Sequence, residues 1–225
     1  MTAPHGWQAA WARPVGGALF RILYAARAVG TEHVPDRGPV LLTVNHTGFL
    51  DGALVVGMAP RPAHFLVYDK SFDRQVGLIL RASGQIPLSL DRGARQGLSD
   101  GMEVLKRGGV LGIFPEGARG RGDLADAQRG VAWLALQSGA TVIPTACLGT
   151  RATGALADSL PRVRSRLVVE FGPALDFEVP QGVPGKQRIA AVADQIRVGL
   201  AEHVSGAARR HDLPLPTDIP PDLWD

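Results

Sequence analysis

Short apolar runs alternate with helical patterns along most of the chain after Pro39. A continuous apolar run of about four to eight residues is typical of a buried strand, and apolar residues that recur at a helical period indicate a helix. The predicted strands are 40–44, 63–68, 85–88, 110–114, 141–144 and 166–171. The predicted helices are 52–58, 71–82, 94–106, 128–137 and 189–204. Because strands are separated by single helices, we predict an α/β fold, a single domain with a mostly parallel central sheet flanked by helices.

The composition is that of one folded domain. Of the 225 residues, 45% are hydrophobic and 20% are charged, which provides enough apolar material for a sizeable core and excludes whole-chain disorder. The single cysteine, Cys147, excludes a disulfide scaffold and a multi-cysteine metal site. No run approaches the ~20 apolar residues of a membrane-spanning helix, and no secretory signal is evident. We expect a soluble or membrane-surface protein of a reducing cytoplasm.

Arginine supplies almost all of the positive charge. The formal net charge is +3, and lysine occurs only at positions 70, 106 and 186. A GC-rich coding sequence explains most of this usage, and attraction to phosphate, acidic lipid or nucleic acid is the functional alternative. The sequence contains no nucleic-acid recognition motif, so we expect no nucleic-acid partner.

The segment 7–29 has the apolar spacing of one amphipathic helix, which Pro14 should interrupt or kink. Tryptophans with flanking arginines are typical of a segment that lies at a membrane interface, but a helix packed on the core has the same period. The expected division of the chain is an amphipathic N-terminal segment at 1–29, one domain at 30–206 and an extended proline-rich tail at 207–225. The predicted apolar stripe consists of Trp7, Trp11, Val15, Leu19, Ile22, Ala26 and Val29.

Two polar clusters directly follow predicted strands. Residues 45–51 (NHTGFLD) come after the strand at 40–44, and residues 114–120 (FPEGARG) come after the strand at 110–114. Ligands of open α/β sheets bind outside the carboxyl ends of the strands. Both clusters are therefore candidate site segments.

His46 and Asp51 could form a general base with an orienting carboxylate. An imidazole can accept a proton near neutral pH, and a carboxylate bound to one ring nitrogen leaves the other free to take a proton from a hydroxyl. The structural alternative is a histidine bound to a nearby carbonyl, with Asp51 capping the following helix. For an isolated His and Asp, the structural alternative is favoured.

Together, the two clusters resemble the glycerolipid acyltransferase family, whose best-known members are 1-acylglycerol-3-phosphate (lysophosphatidate) acyltransferases. The motifs are Asn45-His46 with Asp51 five residues after the histidine, followed some seventy residues later by Phe-Pro-Glu-Gly-x-Arg at 114–119. The segment TEHVP at 31–35, which precedes the strand at 40–44, and the strand VIPT at 142–145 are similar to further family motifs. The resemblance covers about 30–148 and implies a glycerol-3-phosphate acyltransferase-like fold.

The resemblance implies an O-acyltransferase that moves a fatty acyl group from acyl-CoA or acyl carrier protein to the free hydroxyl of a lysophospholipid. The acceptor would be 1-acylglycerol-3-phosphate and the product phosphatidate. His46, held by Asp51, would be the base, and Glu116, Gly117 and Arg119 would line the acceptor site, with Arg119 on the phosphate. A guanidinium suits phosphate oxygens, whereas a local surface ion pair is the structural alternative for Glu116 and Arg119. No metal or redox cofactor is implied, because the acyl thioester is a co-substrate.

Two motifs depart from the family pattern. Ala118 and Gly120 stand where relatives commonly have Thr and Ser, which removes hydroxyls but no charge. After the segment 84–88 (GQIPL), the arginine of the second motif comes two residues late. Arg92 is accordingly our candidate for a second phosphate ligand, with Arg95 as the alternative.

Three other functions stay open on the sequence. The acceptor could be glycerol 3-phosphate, a lyso-aminolipid or a glycolipid; the same base could activate water in an acyl thioester hydrolase; or the chain could bind lipid without catalysis. A further alternative is that Cys147 is a catalytic nucleophile. We expect it instead to be a buried structural thiol that lies away from both clusters. The expected partners are a membrane lipid surface, the acyl donor and the lysophospholipid acceptor, and the expected location is peripheral, on the cytoplasmic face of the cell membrane.

Overall fold

Seven strands form one sheet in the computed structural model, which describes residues 3–89, 94–115 and 125–220. The strands are β1 (Ala25–Val29), β2 (Val40–Val44), β3 (Ala63–Tyr68), β4 (Ile86–Leu88), β5 (Val110–Ile113), β6 (Thr141–Leu148) and β7 (Arg166–Phe171). Their order across the sheet is β1-β7-β6-β2-β5-β3-β4. Neighbours pair in parallel except β6 and β7, which are antiparallel. The prediction of an α/β domain with a mostly parallel sheet is confirmed.

The helices cover both faces of this sheet. They are α1 (Gly6–Leu23), α2 (Asp51–Met58), α3 (Gly77–Ala82), α4 (Arg95–Lys106), α5 (Ala125–Ser138) and α6 (Gly185–His211). The predicted helix at 71–82 is instead a 3-10 turn at Asp69–Phe72 followed by the shorter α3, a break that lets Phe72 turn into the core. The helix α6 extends past the predicted start of the tail, so the described non-helical tail begins after His211.

The continuous apolar run in β2 follows from its burial on both faces. Val40, Leu42 and Val44 belong to the apolar cluster that contains residues of α1 and α2. Leu41 belongs to the cluster with residues of α4, α5 and α6. Because side chains alternate across a strand, only a run that is apolar at successive positions can satisfy both layers.

The N-terminal segment is not one helix through Val29. The helix α1 continues through Pro14 without interruption and ends at Leu23. Residues 25–29 form β1, an edge strand parallel to β7 that buries Ala26 between exposed neighbours. Ala26 and Val29 fit a helical period by spacing, but pairing with β7 satisfies their backbone groups and overrides that local pattern.

The helix α1 packs through its small residues rather than through the predicted stripe. Ala9, Ala12, Gly17 and Phe20 are buried, and a Cβ atom on Gly17 would lie 2.7 Å from the carbonyl oxygen of Gly57 in α2. The two helices thus approach too closely for any side chain at that point. The predicted stripe faces the other way and is exposed at Trp7, Trp11, Val15, Leu19 and Ile22. No described helix is both long and apolar enough to cross a bilayer.

Candidate active site

The loop that leaves β2 places His46 beside the first residue of α2, Asp51. The Nδ1 atom of His46 lies 2.9 Å from Oδ2 of Asp51. The Asp51 side chain is fully buried, whereas the His46 side chain is 16% exposed. When Nδ1 carries the proton and donates a hydrogen bond to Asp51, Nε2 carries a lone pair that can accept a proton. The structure therefore brings together the two residues that the sequence pairs.

The Asp51 carboxylate accepts hydrogen bonds from several directions. Besides the imidazole, Oδ2 accepts from the backbone N–H groups of Thr47 at 2.6 Å and Gly48 at 2.8 Å. Oδ1 accepts from the hydroxyl of Thr150 and from the thiol of Cys147, the latter at 3.4 Å. A buried carboxylate needs such donors to offset its lost hydration. Asp51 thus fixes the loop before α2, and it is not the N-cap of that helix, a position held by Leu50.

Two neighbours orient the loop and the imidazole. The ring of Phe114, at the end of β5, stacks on His46 with 4.1 Å between centroids and 19° between planes. The side-chain amide of Asn45 donates to the carbonyl oxygen of Cys147 at 3.0 Å and accepts from its N–H at 2.7 Å. These two bonds attach Asn45 to β6 just beyond the last paired residue of β2. The backbone is therefore held to the sheet directly before His46.

The segment after β6 contains site residues that the sequence interpretation missed. Thr150 lies 3.1 Å, hydroxyl to hydroxyl, from Thr47 in addition to its bond with Asp51. Arg151 donates from Nε to the carbonyl oxygen of Thr47 at 3.0 Å. The predicted strand ended at 144, but β6 continues for four more residues to Leu148. Thr150 and Arg151 were therefore not recognised as polar residues at the end of a strand. A polar Thr-Arg pair directly after a long apolar run was the available signal.

Cys147 is part of the site's support, not remote from it as the sequence suggested. Its side chain is fully buried on β6, and the thiol points at Asp51. Burial raises the pKa of the Cys147 thiol well above its usual range, and the negative charge of Asp51 and the hydrogen bond to it act in the same direction. A thiolate nucleophile is thereby disfavoured at this position.

Four of the predicted site residues lie outside the described residues. They are Arg92, Glu116, Gly117 and Arg119. Arg95, the alternative to Arg92, is exposed as the first residue of α4. Within the described part of the chain, no group of three His, Cys, Asp or Glu side chains is arranged to hold a metal ion.

Comparison with known proteins identifies a protein family and two similar proteins. The sequence model of the family described as Acyltransferase matches residues 26–148. A 1-acyl-sn-glycerol-3-phosphate acyltransferase of Bacillus subtilis (strain 168) is 24% identical over 173 residues, which cover 76% of this chain and 84% of the relative. An uncharacterized protein of Mycobacterium leprae (strain TN) is 30% identical over 156 residues, which cover 61% of this chain but only 40% of that protein.

The fold is also similar to a solved structure. The crystal structure of the 1-acyl-sn-glycerophosphate (LPA) acyltransferase PlsC from Thermotoga maritima superposes with a TM-score of 0.63 at 18% identity. The match covers 88% of this chain and 79% of that one. At this identity, the likeness is one of fold.

The environment of Cys147 predicts that the native protein resists thiol alkylation. Burial and the adjacent Asp51 carboxylate keep the thiol protonated, so iodoacetamide at pH 8 should label the folded protein at least ~100-fold more slowly than the urea-unfolded protein. Mass spectrometry of the time course measures the label directly, since the chain has one cysteine. Labelling of the folded protein at the rate of the unfolded chain would contradict this account of the site.

Proposed function

Because the chain belongs to the Acyltransferase family and is an O-acyltransferase, we propose that it acylates the free hydroxyl of a lysophospholipid. The acceptor we propose is 1-acylglycerol-3-phosphate, which gives phosphatidate, and the donor is acyl-CoA or acyl carrier protein. The observation that carries the proposal is the buried Asp51 carboxylate on Nδ1 of a partly exposed His46. The similarity to the 1-acyl-sn-glycerol-3-phosphate acyltransferase of Bacillus subtilis supports the choice of acceptor.

The proposed step is a direct transfer with His46 as the base. The Nε2 atom takes the proton of the acceptor hydroxyl as that oxygen forms a bond to the thioester carbonyl carbon. The tetrahedral intermediate then breaks its C–S bond, and the leaving thiolate takes the proton back from the imidazolium. Asp51 holds the ring in the required tautomer and stabilises the transient positive charge. The step balances without an enzyme nucleophile or a redox cofactor.

We assign the acceptor site from the position of Phe114 and from the motif that it begins in the sequence. Phe114, whose ring stacks on His46, is the first residue of the motif at 114–119, so the motif begins at a residue that contacts the imidazole. We propose that Arg119 and Arg92 bind the acceptor phosphate, since guanidinium groups match phosphate oxygens in geometry and charge. Glu116 and Gly117 would line the same site.

Replacement of His46 tests the reaction and the base together. His46→Ala should lower acyl transfer from labelled oleoyl-CoA to lysophosphatidate by ~10²–10⁴-fold, the usual contribution of a general base. Product masses from a panel of acceptors identify the lipid formed, and His5→Ala, an exposed histidine at the start of α1, is the control. Full activity of His46→Ala would refute the base. Equal CoA release with and without any acceptor would indicate a thioester hydrolase instead.

We also propose that the protein works while bound peripherally to the cytoplasmic face of the cell membrane, where its lipid acceptor lies and where acyl thioesters are available. The exposed stripe of α1 supplies apolar contact without crossing the bilayer. Two more exposed apolar groups are found at Leu78 and Ile79 in α3 and in the β6–β7 loop. The loop residues are Leu156, Leu160 and Val163.

Direct contacts join these three segments. The indole N–H of Trp11 donates to the carbonyl oxygen of Ala82 at the end of α3. Arg74, just before α3, pairs with Asp158 of the loop, and the N–H of Arg164 donates to the carbonyl oxygen of Leu23 at the end of α1. Exposed apolar side chains on adjoining segments are typical of an interaction surface.

Charge favours an anionic bilayer as the partner of this surface. The segments 6–23, 69–82 and 152–165 together have seven Lys or Arg and three Asp or Glu, a formal charge of +4, whereas the whole chain has only +3. All of the net positive charge therefore lies in these three segments. Attraction to acidic headgroups adds to the insertion of apolar side chains.

Polar substitution of the exposed stripe tests membrane binding without disturbing the fold. The triple variant Trp7→Ser, Val15→Ser, Ile22→Ser should bind phosphatidylglycerol-containing vesicles at least about tenfold more weakly, because each large apolar side chain contributes up to ~1.5–3 kcal/mol on insertion. Vesicle cosedimentation measures the binding. The matched control replaces exposed apolar residues elsewhere: Val183→Ser, Val198→Ser, Ile219→Ser. Equal binding by both variants would refute the surface.

A further inference from the structure

The guanidinium of Arg151 connects the C-terminal tail with the loop that contains His46. The Arg151 side chain is 3% exposed although it is charged. Its Nε donates to the carbonyl oxygen of Thr47 at 3.0 Å, and Nη1 donates to the carbonyl oxygen of Ala155 at 2.9 Å. Nη2 donates to the backbone carbonyl oxygen of Asp218 at 2.7 Å. The two terminal nitrogens also lie 3.3 Å from the two carboxylate oxygens of Asp218, one to each.

The tail is fixed at this point by further contacts. The N–H of Gly154 donates to Oδ2 of Asp218 at 3.1 Å, and the N–H of Thr217 donates to the hydroxyl of Thr153 at 3.3 Å. The hydrogen bond from Arg151 lowers the pKa of the Asp218 carboxyl, so this carboxylate is charged at neutral pH. Closer to α6, Leu213 and Leu215 pack against the apolar cluster under the tail.

One peptide group joins Arg151 to the candidate catalytic pair. The peptide between Thr47 and Gly48 presents its carbonyl oxygen to Nε of Arg151 and its N–H to Oδ2 of Asp51. A peptide group is planar, so its two polar ends rotate together. Any rotation that releases the carbonyl from Arg151 also turns the N–H away from the carboxylate that holds His46.

We propose that Asp218 and Arg151 form a clasp that positions the His46–Asp51 pair for proton transfer through the Thr47–Gly48 peptide. The clasp rests on the proposed role of His46. Arg151 is a positioning residue, because it reaches the imidazole only through this peptide and Asp51. A buried guanidinium needs its partners, and Asp218 supplies both the charge and three of the acceptor atoms. The C-terminal tail is therefore part of the machinery that sets the rate of acyl transfer.

Two variants open the clasp while leaving the core intact. Asp218→Asn removes the charge at nearly constant size, and a stop codon after Thr217 removes residues 218–225 but keeps Leu213 and Leu215 in place. The control is Asp194→Asn, which breaks an exposed pair with Arg197. His46→Ala provides the baseline for loss of the base. Activity is measured as acyl transfer to lysophosphatidate in mixed micelles, so that differences in vesicle binding between the variants do not affect the measured rate.

We expect both clasp variants to lower kcat about tenfold, since a misplacement of ~1 Å can cost up to ~100-fold. KM for either substrate should stay within about twofold, because Arg151 acts on the imidazole only through the Thr47–Gly48 peptide and Asp51. Hydrogen exchange should speed up at the amides of Thr47 and Gly48, which bind Asp51, relative to wild type and Asp194→Asn. A purely structural role would instead reduce the amount of folded protein and leave kcat per folded molecule unchanged.

The outcomes separate the clasp from the proposed function. Wild-type kcat in both folded clasp variants overturns the clasp, and so does a loss of activity that only parallels a loss of folded protein in thermal unfolding. Activity in His46→Ala overturns the proposed base itself. An inactive His46→Ala, together with reduced kcat and faster exchange at residues 47 and 48 in the clasp variants, supports both.

Discussion

The buried carboxylate of Asp51 is the constraint on which the site depends. Removing a carboxylate from water costs several kcal/mol unless hydrogen-bond donors replace its hydration. Those donors are the imidazole of His46, two loop amides, the Thr150 hydroxyl and the Cys147 thiol. They come from segments about a hundred residues apart in the sequence. The carboxylate thus links the loop after β2 to the end of β6, and the catalytic geometry follows from satisfying one buried charge.

The strand order makes that convergence possible. β2 lies between β5 and β6 and is parallel to both. The carboxyl ends of the three strands consequently meet at one edge, where His46, Phe114 and Thr150 come into contact or share partners. In the account proposed here, the accessible side of the imidazole serves the acceptor hydroxyl, and the exposed apolar segments around α1 hold the protein at its lipid substrate. The tail reaches the same edge through Arg151.

Local patterns were sufficient for some parts of the structure and misleading for others. The bounds of β2, β3 and β7 agree with the prediction, because each strand is a short, mostly buried and mostly apolar run. β1 escaped detection because pairing with β7, more than a hundred residues away, overrides its helical spacing. The apolar stripe of α1 left open which face of the helix packs on the core, because the close contact of Gly17 with Gly57 depends on long-range packing.

The candidate site also has parts that the sequence predicts and parts that it does not. The pairing of His46 and Asp51 could be predicted, because the two residues are only five positions apart in the sequence. The roles of Cys147, Thr150 and Arg151 depend on long-range contacts that no local pattern encodes. The assignments of Arg92, Glu116, Gly117 and Arg119 still rest on motif resemblance and on their place in the chain.

The tautomer of His46 tests the central claim most directly. Asp51 should hold the neutral ring with its proton on Nδ1, leaving Nε2 bare to accept a proton from a substrate hydroxyl. Nitrogen-15 NMR of the histidine-labelled protein, assigned with His46→Ala and recorded where the ring is neutral, distinguishes the two nitrogens. We predict a protonated Nδ1 and an unprotonated Nε2. A neutral ring with its proton on Nε2 would contradict it.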